Sequence, residues 1–171
     1  MGIQRYSASL DTTITNAFKS NLSTRGTGSN MGLADVLEVF TIYGQESTSS
    51  SELSRILIQF PVTGSAGTIG ADRDAGTIPA SGSVNFFLRM YNAEHSQTLP
   101  KDFSLNISAI TRSWEEGYGL DMEGYTDITY DDVGANWIMA SSGSAAATAT
   151  ITVSATDVAN IGEGDTIQLI S

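Results

Sequence analysis

The chain has no cysteine, so disulfides, thiolate chemistry, Cys-ligated zinc and iron–sulfur clusters are excluded. Basic residues are scarce, 8 Lys and Arg against 19 Asp and Glu, for a formal net charge of -11. That balance disfavours binding to nucleic acid or to an anionic membrane, both of which are negative themselves. No apolar run reaches the length of a membrane span, so membrane insertion is not expected. The opening Met1–Ser7 lacks an apolar core of signal-peptide length, and the expectation is assembly in a host cytoplasm without export.

Histidine is nearly absent too. His95, in the loop Asn92–Ser96, is the only one, and a hydrolytic triad would need it against both a serine and an acid. No Gly-x-Ser-x-Gly elbow occurs: Thr27-Gly28-Ser29 runs on into Asn30 and Met31. The glycine-rich loops lack a phosphate-cradling lysine. Pairs such as Glu115-Glu116 have nothing in the sequence to set a glycosidase separation. The chain reads as a non-enzyme.

What is present is short, alternating and punctuated. Val84, Phe86, Leu88 and Met90 alternate with Ser83, Asn85, Arg89 and Tyr91, interrupted by Phe87. Phe103, Leu105, Ile107 and Ala109 alternate with polar neighbours, and Ala149, Ile151 and Val153 with threonines. This period of two predicts strands. Val36–Tyr43 and Arg55–Phe60 read as denser strands, covered on both faces. Pro61 should end the second of these, having no ladder donor. Gly/Ser/Asn/Asp clusters at Gly26–Asn30, Ser47–Ser51, Gly64–Gly76 and Ser141–Gly143 separate the runs. Helical pattern is weak, with one turn plausible at Gly32–Asp35 or after Trp114. The fold class is therefore all-β, a jelly-roll-like β-sandwich over residues 1–140. Residues 141–171 form a low-complexity linker and a strand extension. Three expectations stay open for that stretch: the start of a further domain in a chain that continues beyond Ser171, a strand exchanged with a neighbour, or a final strand that returns to the sheet.

Several motifs, in order, resemble the DNRLRE-type β-sandwich family. They are Asp11-Thr12-Thr13-Ile14, then Asn30-Met31-Gly32 with Leu37-Glu38-Val39. Ser54-Arg55-Ile56-Leu57-Ile58-Gln59-Phe60 follows, then Ile78-Pro79 with Val84–Met90, and finally Trp114-Glu115-Glu116-Gly117. The resemblance spans residues 8 to 140 and implies a jelly-roll module. The wider pattern adds Thr24–Gly32, Gly119-Leu120-Asp121-Met122, Gly134-Ala135-Asn136-Trp137 and the Ile161–Ile167 ending. It looks like structural proteins of marine bacteriophages. The resemblance implies a virion component (capsid decoration, neck, tail or fibre), with a homo-oligomer or other virion proteins as partners. Some members of the family bind polysaccharide. The alternative is therefore a carbohydrate-binding module that attaches to a host-surface or extracellular polysaccharide.

The segment Trp114–Trp137 concentrates candidate chemistry: Glu115, Glu116, Asp121, Glu123, Asp127, Asp131 and Asp132, no Lys or Arg, and Tyr118, Tyr125 and Tyr130. Three readings stay open. Asp121, Glu123 and Asp127 with Asp131 or Asp132 could converge on calcium, the one candidate cofactor. Trp114, Tyr118, Tyr125 and Trp137 could form a flat platform for sugar rings. A solvated acidic loop with Trp114 and Trp137 plugging the ends of the sandwich is the third. Arg55 would lie opposite Ile56 and Ile58, on the side of Gln59, where an ion pair within the sheet is its expected role.

Overall fold

The computed structural model describes residues 2–79, 82–94, 102–122 and 133–142. Regular structure is chiefly strand, arranged as a small antiparallel sheet. Strand β1 spans Leu10–Thr15, β2 Thr41–Tyr43 and β3 Ser51–Gln59. The order is β1-β3-β2, so β3 is central. Its register pairs Leu10 with Gln59 and Thr15 with Ser54 on one side, and Thr41 with Leu53 and Tyr43 with Ser51 on the other. The β-branched threonines and isoleucines of β1 and β3 suit a pleated, half-buried surface. β3 stops at Gln59, with Pro61 two residues on, as a missing donor requires.

Alternation along β3 sends Glu52, Ser54, Ile56 and Ile58 to one face and Arg55 with Gln59 to the other. Glu52 and Ser54 are buried, whereas Arg55 and Gln59 are exposed. Ser54 extends the sheet's hold beyond the short β2. Its hydroxyl donates to Glu38 C=O at 2.8 Å and accepts from Phe40 N–H at 2.7 Å. The expected strand Val36–Tyr43 thus shrinks to three residues, with its approach tethered by a side chain instead of a ladder. The β2–β3 connection turns at Gly44, whose φ of 71° favours glycine.

The alternating segments Val84–Met90 and Phe103–Ala109 join no ladder among the described residues. Phe87 is 70% and Phe103 64% exposed. Alternation prepares a segment for a sheet, but a strand exists only where an open edge lies alongside. The expected loop Gly64–Gly76 contains helix α1, Ile69–Asp74, capped by Thr68, whose hydroxyl accepts from Ala71 N–H at 3.2 Å. The cap-and-stop chemistry of Thr68 and Gly76 is the local cause. Gly32–Leu33 is a turn, not a helix.

The buried apolar cluster is small: Ala17, Met31 and Met122, with Ala34 and Phe40 packed against it. Much of the rest of the interior is polar. Thr12, Thr13, Thr15, Ser29, Asn30, Glu52 and Asp121 are all essentially inaccessible. Buried polar groups of this number must be hydrogen-bonded to be tolerated, and their partners define the site below.

Candidate functional site

Three segments far apart in sequence meet at Asn30. Its Oδ1 accepts from Gly32 N–H at 3.1 Å and Gly119 N–H at 2.8 Å. Its Nδ2 donates to Glu116 C=O and to Ala135 C=O, each at 2.8 Å. Its main-chain N–H donates to Asp121 Oδ2 at 3.1 Å, and its C=O accepts from Asp121 N–H at 3.0 Å. Two donors and two acceptors exhaust the hydrogen-bonding capacity of an asparagine amide, so this buried side chain is fully satisfied. Asp121, one of the candidate calcium ligands, is buried and holds Asn30 through both its carboxylate and its backbone.

Glycine makes the approach possible. A Cβ at Gly32 would collide with Glu116 C=O. One at Gly117 would lie 2.5 Å from Asn30 Oδ1, and its φ of 80° is left-handed as well. The motifs Asn30-Met31-Gly32, Trp114-Glu115-Glu116-Gly117, Gly119-Leu120-Asp121-Met122 and Gly134-Ala135-Asn136-Trp137 thus form one junction. Further bonds tie it outward. Glu116 Oε1 accepts from Asp11 N–H of β1 at 2.7 Å, and Glu115 Oε2 accepts from Ser142 N–H at 2.8 Å. Asn136 Oδ1 accepts from Ile138 and Met139 N–H, and Trp137 N–H donates to Thr27 C=O at 3.0 Å. Glu115 and Glu116 act here as acceptors for backbone amides.

The aromatic candidates are dispersed in character. Trp114 and Trp137 are half-buried, whereas Tyr118 is 64% exposed. The Arg55 guanidinium lies 4.6 Å from the Trp137 ring centroid, so it makes a cation–π contact, and it has no ion pair among the described residues. One face of that indole is therefore occupied. Tyr125, Tyr130, His95, Glu123, Asp127, Asp131, Asp132 and the stretch 143–171 lie outside the described residues. Among the described residues no group of three or more His, Asp or Glu could hold a metal ion.

Sequence reasoning does not single out two polar anchors, Glu52 and Arg25, although Arg25 lies within the Thr24–Gly32 motif. Glu52, 1% exposed, accepts from Phe18 N–H at 2.7 Å. Arg25 donates to Asn16 C=O at 2.7 Å and Ser51 C=O at 3.1 Å, with its guanidinium 4.3 Å from the Phe18 ring centroid. A Glu in a Ser/Thr-rich strand reads as surface until its partner loop is known. Near the N-terminal segment an open cleft of about 320 Å³ is lined by residues including Tyr6, Asp11, Leu37, Phe60, Leu88 and Arg89. Tyr6 Oη donates to Asp72 Oδ2 at 2.5 Å. Desolvation, that hydrogen bond and the carboxylate's charge together push the phenol up to about 12.

No family model, curated protein or solved structure matches this chain.

Proposed function

We propose that this chain is a non-enzymatic structural subunit of a virus particle, a jelly-roll-type module in a phage decoration, neck, tail or fibre that acts through many-copy protein–protein contacts. One observation carries the reading: among the described residues little apolar surface is buried and much is left outside. Val39, Tyr43, Phe87, Tyr91, Phe103 and Ile110 are each between 48% and 77% exposed, while the buried apolar residues among those described are Ala17, Met31, Ile78, Met122, Val133 and Ala135. Exposed large apolar groups are surface that the neighbours of a subunit would cover. The polar junction at Asn30 supports the same role, since it fixes the segments rigidly without presenting reactive groups. The motif order that resembles marine-phage structural proteins supplies the virion context. The glycan-binding alternative keeps one specific support, the exposed Tyr118 on the segment that carries Trp114.

Mass by light scattering, with and without calcium, tests the proposal. A defined oligomer or polymer supports the subunit. A monomer in both conditions overturns it and moves attention to retention on polysaccharide, with Tyr118→Ala as the first variant.

A further inference from the structure

The two outer strands of the sheet expose very different edges. At β1, Asp11 N–H is taken by Glu116 Oε1, and Thr12, Thr13 and Thr15 are at most 2% exposed. That edge is covered. At the other edge, Ser54 N–H donates to Phe40 C=O and Gly44 N–H donates to Ser50 C=O, which turns the even-numbered residues around β2 toward β3. In an antiparallel pair the odd-numbered residues then face away. The N–H and C=O groups of Val39, Thr41 and Tyr43 have no partner among the described residues. All three residues are exposed, Tyr43 to 75%. Natural sheets blunt such edges with lysine, proline or a covering segment, and Val36–Gly44 contains no Lys, Arg or Pro.

The same chain carries a segment suited to that edge. Val84–Tyr91 alternates as a strand should, makes no backbone hydrogen bond among the described residues, and exposes Phe87 and Tyr91 to 70% and 77%. Charge favours the match. Asp35, Glu38 and Glu46 are exposed on either side of β2, with no Lys or Arg in the sequence between them, whereas Val84–Tyr91 carries Arg89 and no acid. Within one chain Leu88, Arg89 and Met90 line a cleft with Tyr6, Leu37 and Phe60, and no backbone hydrogen bond joins the two segments among the described residues.

We propose that Val84–Tyr91 of a second copy adds as a strand to the open β2 edge, Val39–Tyr43. Backbone bonds supply affinity, and the alternating side chains with Arg89 set the register. The two surfaces are different patches of one chain, so the contact is head-to-tail and propagates into a ring or a fibre. This inference rests on the multi-copy reading above and names the surface that builds it.

The test is light scattering of the full chain over a concentration series, with Thr41→Pro, Tyr43→Lys and Arg89→Glu as variants. Thr41→Pro removes an outward N–H and spares the β2–β3 bonds, the one place a strand accepts proline. Each variant is expected to raise the concentration of half-association at least about tenfold, the worth of roughly one lost hydrogen bond, with far-UV circular dichroism unchanged. If Thr41→Pro unfolds the chain, the other two variants decide. If the wild type associates and folded variants associate equally well, the edge is overturned while the subunit reading stands. A wild type that stays monomeric at every concentration overturns both.

Discussion

Asn30→Ala is the sharpest perturbation this fold offers. The substitution deletes four side-chain hydrogen bonds at a fully buried position and strands Gly32 N–H, Gly119 N–H, Glu116 C=O and Ala135 C=O. An unsatisfied buried polar group costs about 1–3 kcal/mol, so the two in fully buried pairs, Gly119 N–H and Ala135 C=O, put the loss at about 4 kcal/mol at mid-range, with the part-buried Gly32 N–H and Glu116 C=O adding less. Single domains are stable by about 5–15 kcal/mol, so the variant should sit near the threshold of folding. Equilibrium urea unfolding should show the midpoint falling with little change in slope, and the thermal midpoint should drop by about 8–16 °C for a domain of this size. Asn30→Asp should do no better above the carboxylate range, because it sets a charged oxygen against two carbonyls. Asn21→Ala is the matched control. Asn21 Oδ1 also accepts two backbone amides, from Ser23 and Thr24, but the residue is exposed and water replaces it. A loss below about 1 kcal/mol for Asn30→Ala, comparable with Asn21→Ala, would refute the claim that this side chain closes the junction.

Gly117→Ala should cost more than about 2 kcal/mol in denaturant unfolding, since left-handed strain adds to displacement of Asn30. Gly76→Ala, with φ of 75° but open space around its Cβ, should cost only about 1 kcal/mol. Arg55→Ala should lower stability by about 0.5–1 kcal/mol and shift tryptophan fluorescence, because the guanidinium over Trp137 is lost. One of the six tyrosines should ionise near pH 12 in a spectrophotometric titration, and Tyr6→Phe or Asp72→Asn should abolish that late step. The phenol is raised in the folded state, so its contribution is fully present below pH 10. It is lost as the pH climbs from 10 through about 12.

What the sequence made legible was local. The strand at Arg55–Phe60, its end before Pro61, and the opposition of Arg55 to Ile56 and Ile58 all follow from period and proline chemistry, and β3 obeys them. The Gly- and Asn-containing motifs were visible as motifs, yet their shared purpose was not. Nothing in Asn30-Met31-Gly32 states that Glu116, Gly119 and Ala135 stand around it, because a hydrogen-bond hub is a property of the closed chain. Arg55 shows the same limit. Its face was readable, but the partner was an indole 82 positions away instead of an acid. Helix α1 was hidden for a different reason. Six residues between glycines carry no amphipathic period, and only the Thr68 cap marks the start.

The failed strands are the most instructive of these differences. Val84–Met90 and Phe103–Ala109 have the composition of sheet elements and expose it to solvent. Composition fixes what a segment can pair with, while topology fixes whether an edge is free to receive it. β1 has spent its edge on Glu116 and β3 is flanked on both sides, which leaves β2 alone. Three donor–acceptor positions at Val39, Thr41 and Tyr43 face outward, and Val84–Met90 and Phe103–Ala109 form no ladder with them among the described residues. Unpaired backbone on both surfaces is a cost the monomer bears and an assembly removes. The exposed apolar residues and the open edge are therefore one feature seen twice: among the described residues, the sequence offers more pairing than the sheet uses.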